Sequence, residues 1–96
     1  MPSSKSSLFE HSIHVMEINL DFFAGIMDDP LNPWVINAYS PACPHCKKFA
    51  PKWEEVGNAL RDSRVRVGAI NCIKHKQLCW SLNVDRHPTL LAVNWP

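Results

Sequence analysis

Apolar and polar positions alternate along residues 13–18 (IHVMEI), with Ile13, Val15 and Glu17 on one face and His14, Met16 and Ile18 on the other. A period of two is that of a strand. Asn19 or Asp21 then offers a helix cap, and residues 20–27 read as a short helix. The Asp, Pro and Asn residues of 28–33 mark a loop. Residues 34–39 (WVINAY) form an unbroken, mostly apolar run between Pro33 and Pro41, the pattern of a strand buried on both faces of a parallel sheet. Cys46, Phe49, Ala50, Trp53, Val56, Gly57 and Leu60 then recur at steps of three and four. That stripe predicts an amphipathic helix, with Pro44 suited to its first position and Pro51 expected to kink it. Residues 65–71 and 89–93 read as strands and residues 76–82 as a short helix. The order β-α-β-α-β-α-β predicts an α/β sheet with helices on both faces.

Composition adds bounds. Ninety-six residues make one small domain, and 46% hydrophobic with 20% charged residues is globular. A net charge of +1 gives no electrostatic reason to expect nucleic acid or an anionic membrane as partner. No apolar run approaches the roughly 20 residues of a membrane span. Residues 1–10 begin MPSSKSS and are expected to be disordered, leaving 11–96 as the domain. No basic-then-apolar stretch follows them, so no secretory signal peptide is expected.

The candidate chemistry lies in Cys43-Pro44-His45-Cys46, where a predicted strand gives way to a predicted helix. This spacing brings two sulfurs together across one turn. A helix N-terminus carries about half a positive charge, which favours a thiolate. Cys43 is the more N-terminal and should attack, while Cys46 lies on the apolar stripe and should resolve the mixed disulfide. Two other chemistries use the same spacing. Zinc could take Cys72 and Cys79 as further ligands, or the pair could be an inert bridge. The junction of a buried strand and a long amphipathic helix favours redox chemistry over both.

The stretch WVINAYSPACPHCKKFAP resembles the active-site region of thioredoxin-fold domains of the protein disulfide isomerase type. The resemblance continues through Val67-Gly68-Ala69-Ile70-Asn71-Cys72, Leu78-Cys79 and His87-Pro88-Thr89, and so covers residues 13–93. The motif set is similar to domains of endoplasmic-reticulum J-domain co-chaperones and of quiescin-type sulfhydryl oxidases. It implies a thioredoxin-like fold and a thiol–disulfide oxidoreductase acting on cysteine-containing protein substrates, without cofactor or metal. It further implies residence in the endoplasmic reticulum lumen or secretory pathway, and further domains of a longer parent protein as neighbours. Under the resemblance Pro88 is a cis-proline that faces the cysteine pair and, with His87 and Ala42, meets the substrate backbone. A loop proline before a strand is the plainer reading. Cys72 and Cys79 correspond to a structural disulfide found in some members; two reduced core cysteines are the alternative. The loop closed is short, so the bridge should contribute at the low end of roughly 2–4 kcal/mol.

The sequence departs from this pattern in several places. Asn37 stands where most members carry a buried carboxylate that moves a proton for the resolving cysteine, and Ala69 stands where its lysine partner is common. Ala42 replaces an aromatic residue before the first cysteine. Pro44-His45 replaces Gly-His, and His45 is expected to stabilise the Cys43 thiolate and raise the reduction potential. His11, His14 and His75 match no motif and are expected at the surface. The fold implied by the resemblance also has a further strand and a terminal helix after residues 89–93, which this chain lacks. The last strand should therefore present an open edge. A non-catalytic thioredoxin-like fragment or partner-binding module is the alternative function.

Overall fold

A computed structural model describes residues 7–95. Its elements run β1 (Met16–Glu17), α1 (Leu20–Met27), β2 (Trp34–Tyr39), α2 (Pro44–Ala59), β3 (Arg66–Asn71), α3 (Lys76–Ser81) and β4 (Thr89–Val93). They form one four-stranded sheet in the order β1-β3-β2-β4. β3 is parallel to both β1 and β2, and β4 runs antiparallel to β2.

The continuous apolar run of β2 has its explanation in this order. β2 is central, and its side chains feed two cores. Trp34, Ile36 and Ala38 join Ile18, Ile26, Ile70 and Leu78 on the face covered by α1 and α3. Tyr39 joins Cys46, Trp53, Val67 and Ala69 on the face covered by α2. Trp53 also donates its indole N–H to the Gly68 carbonyl at 2.9 Å, which ties α2 to β3. Pro44 occupies the start of α2, and Pro51 lies within the helix on its exposed side. Among the described residues no helix is long and apolar enough to cross a membrane.

The first strand is shorter than the alternation predicts. Ser12 Oγ accepts from the backbone N–H of both His14 and Val15, which turns the chain just before β1. Ile13 is left 89% exposed, and only Met16 and Glu17 pair with β3 before the Ile18 N–H reaches the Ala69 carbonyl at 2.8 Å.

The expected disordered segment 1–10 also needs correction at its end. Residues 1–6 lie outside the described residues, but Phe9 is buried edge-on against Tyr39 with ring centroids 5.3 Å apart. The Leu8 N–H donates to the Tyr39 hydroxyl at 3.2 Å and the Phe9 N–H to Glu17 at 3.1 Å. One aromatic ring with a distant partner is enough to fix this segment, so the ordered chain starts before residue 11.

Candidate active site

β2 ends at Tyr39, and the loop Ser40-Pro41-Ala42 leads to Cys43, whose N–H closes a turn on the Ser40 carbonyl at 3.1 Å. Cys43 is the N-cap of α2. Its backbone is extended, and its carbonyl accepts the first helical bond from Lys47 at 3.1 Å. The cap position leaves the first N–H groups of the helix without helical partners. The Cys43 side chain makes no regular capping bond, yet the N–H of Cys46 is aimed at its sulfur and does most to hold its pKa below the ordinary thiol value. Partial desolvation opposes that effect, while the His45 N–H and the Cys46 thiol add to it. The His45 side chain is exposed, and it is the backbone N–H of His45 that adds to the effect of the Cys46 N–H.

Cys46 lies one turn further and is fully buried against Tyr39 and Trp53. Burial pushes its pKa up to about 11, and the hydrogen bond and charge of Cys43 push the same way. The Ser40 N–H, 3.4 Å from Cys46 Sγ, works against them. Two neighbouring thiols are thereby driven apart: one accessible and readily ionised, the other enclosed and reluctant. Both are free thiols here.

Opposite the pair lies the turn before β4. The Cys43 thiol donates to the His87 carbonyl at 3.8 Å, and the His87–Pro88 peptide bond is cis. Ala42 is exposed beside Cys43. Cys72 and Cys79 are joined to each other by a disulfide in the core on the α1 and α3 face, whereas Cys46 belongs to the core on the α2 face. They do not complete a ligand set with Cys43 and Cys46. Among the described residues no group of three or more His, Cys, Asp or Glu is placed to hold a metal ion.

Asn37 is wholly buried in β2, in register with Ala69 of β3, and among the described residues both ends of its amide lack a hydrogen-bond partner. The sequence marks this position but not its unpaired state. Two other features escaped sequence reasoning. Tyr39 donates to Glu17 at 2.5 Å, and burial raises the Glu17 pKa despite that bond. Trp80 on α3 projects from the surface, 81% exposed. The signal for Trp80 was an unusually large apolar residue beside Cys79 in a six-residue helix.

A parallel sheet with one antiparallel edge, and a C-x-x-C pair at the start of its longest helix facing a cis-proline turn, define a thioredoxin-type domain. Residues 14–94 match the pattern of the Thioredoxin family, and the chain belongs to it. It is 33% identical over 85 residues to mouse protein disulfide-isomerase A6, a match covering 88% of this chain and 19% of that protein. It is 30% identical over 83 residues to DnaJ homolog subfamily C member 10 of Xenopus laevis, covering 86% of this chain and 10% of the relative. The chain therefore spans at most a fifth of the length of these two relatives. Among solved structures, the J-Trx1 fragment of ERdj5 superposes with a TM-score of 0.80 at 29% identity, covering 88% of this chain and 41% of that one.

Proposed function

We propose that this chain is a thiol–disulfide oxidoreductase module acting on cysteines of other proteins. The observation that carries the reading is the division of labour between Cys43, accessible with a lowered pKa, and Cys46, enclosed with a raised one. The Cys43 thiolate attacks one sulfur of a substrate disulfide. That S–S bond breaks as the Cys43–substrate bond forms, and the other substrate sulfur leaves as a thiolate. Cys46 then loses its proton and attacks Cys43 Sγ. The mixed disulfide breaks, the second substrate thiolate departs, and the Cys43–Cys46 disulfide closes. Two electrons pass to the substrate, and the Cys46 proton passes to a departing thiolate or to water. Run in reverse, the same steps oxidise a substrate dithiol.

Pro44 starts the helix that presents Cys43. His87, Pro88 and Ala42 form the surface that receives the substrate backbone, and Cys72–Cys79 braces the segment between β3 and α3. Localisation in the endoplasmic reticulum lumen or secretory pathway, among further domains of a longer protein, belongs to the same reading and is supported by the similarity to protein disulfide-isomerase A6 and to the ERdj5 domain. A trapping experiment tests the roles. Cys46→Ser should accumulate a mixed disulfide through Cys43 with an unfolded, oxidised protein substrate, and Cys43→Ser should accumulate none. Equal trapping by both variants, or by neither, contradicts the assignment.

A further inference from the structure

Residues 7–12 are held more firmly than a lead-in to a sheet requires. Segments near a chain end are usually loose unless something ties them down. Here the ties come from three elements. The Leu8 N–H donates to the Tyr39 hydroxyl of β2 at 3.2 Å, and the Phe9 N–H donates to Glu17 of β1 at 3.1 Å. The Tyr39 hydroxyl itself donates to the same Glu17 oxygen at 2.5 Å, so the two holding groups hold each other. At the far end the Ser12 hydroxyl donates to Glu54 of α2. Glu10 and His11, between the ties, stay in solvent. The segment is thus a strap across β1, β2 and α2.

Of these six residues only Phe9 is buried, at 2% exposure, and it enters the core that holds Cys46. The link between the two is short. The Phe9 ring stands edge-on to Tyr39, and the residue after Tyr39, Ser40, aims its N–H at Cys46 Sγ from 3.4 Å. Removing a ring from a close-packed core leaves a cavity that its neighbours fill only in part. Cys46 depends on that core more than on anything else, because burial is the largest influence on its ionisation and exceeds the opposing effect of the Ser40 N–H. A looser enclosure should therefore outweigh any disturbance of the Ser40 bond. Cys43 takes its ionisation mainly from the Cys46 N–H and should feel the change far less.

We infer that the strap of residues 7–12 is a positioning element of the exchange reaction: Phe9, clamped through Tyr39 and Glu17, seals the core around Cys46 and so holds back the resolving step. The inference rests on the redox reading of Cys43 and Cys46. Its size can be set in advance. A fall of one unit in a thiol's pKa raises the thiolate fraction about tenfold at lower pH. The more acidic thiolate is a weaker nucleophile by about threefold, which leaves a net gain of about threefold in rate.

The test reads both thiols separately in the full chain. Iodoacetamide labelling at pH 8 is followed by peptide mass, and the reduced chain is also mixed with glutathione disulfide, stopped with acid and resolved by mass. Phe9→Ala should raise the Cys46 labelling rate by about threefold or more. It should shorten the life of the Cys43–glutathione mixed disulfide by a similar factor and leave Cys43 labelling unchanged. Phe9→Leu, which refills most of the apolar space, should restore both values. Ile26→Ala, which removes an apolar side chain from the core on the other face of the sheet, should change neither. If Phe9→Ala fails to fold, Tyr39→Phe decides by the same criterion, because it keeps the ring and removes the hydroxyl that takes the Leu8 N–H and holds Glu17. Unchanged Cys46 rates, or an equal rise in Ile26→Ala, overturn the strap's role and leave the redox reading standing. A parent chain that forms no mixed disulfide on Cys43 overturns the redox reading, and this inference with it.

Discussion

At the scale of single residues, Asn37 sets this chain apart from the pattern it resembles. Asn37 shares with Val35 and Tyr39 the face of β2 that joins the core around Cys46, its neutral amide cannot take a proton, and with Ala69 in register beside it no lysine stands there to hold a charge. The unpaired amide is itself a departure from the rule that buried polar groups are satisfied. Under the proposed mechanism, the raised Cys46 pKa should make its deprotonation the slow part of the second exchange. General-base help typically contributes roughly 10²–10⁴-fold. Asn37→Glu should therefore shorten the lifetime of a mixed disulfide on Cys43 by about 10²-fold or more, read by stopping the reaction with acid and resolving species by mass. An unchanged lifetime would show that water already suffices. The departure itself was legible, since Asn37 stands in the sequence for anyone to read. Its unpaired state was not, because it depends on what β3 and β4 bring beside it.

At the scale of elements, α2 is the part that must be held still, because it presents both thiols. Gly57 lets it approach the chain entering β1: a Cβ there would lie 2.4 Å from the His14 carbonyl oxygen and 3.0 Å from its carbon. Both are backbone atoms and cannot turn aside. Gly57→Ala would gain up to about 1 kcal/mol in helix propensity, while overpacking typically costs about 1–3 kcal/mol. Overpacking should win, giving a net loss of about 1–2 kcal/mol in urea unfolding; a net gain would mean that α2 moves freely on the sheet. The limits of α1, β2 and β4 followed from period and punctuation, because Asn19 caps one helix through its bond to the Phe22 N–H and prolines bracket the central strand. The first strand did not, because Ser12 captures two N–H groups that alternation alone would give to a sheet. Phe9 did not either, since its burial depends on Tyr39, far along the chain.

At the scale of the whole molecule, the sheet ends at β1 on one side and at β4 on the other, and β4 bonds only to β2 among the described residues. Leu91 and Val93 pack into the core on the α1 and α3 face, while Leu90 faces away and is 54% exposed. An exposed apolar edge is a template for pairing between chains. Residues 1–96 made alone should therefore self-associate, with a sedimentation coefficient that rises with concentration, and Leu90→Lys should return them toward monomer. A concentration-independent monomer would remove the edge as a driver of assembly. The layered architecture and the position of the thiol pair were both legible, because a buried central strand, a C-x-x-C at a helix start and a following amphipathic stripe leave few ways to fold. The pocket lined by Trp80, Val84 and His87 was not, because it forms only when α3 and the His87 turn meet.

The most direct measurement of the central claim is the pH dependence of alkylation at each free cysteine of the reduced chain, read by peptide mass. A lowered pKa fills the thiolate form at lower pH, so Cys43 should be modified first, and its rate should level off below the ordinary thiol range of about 8–9. Cys46 should stay slow until the pH approaches about 11. Faster labelling of Cys46, or a Cys43 rate still climbing through pH 9, would contradict the assignment of nucleophile and resolving thiol.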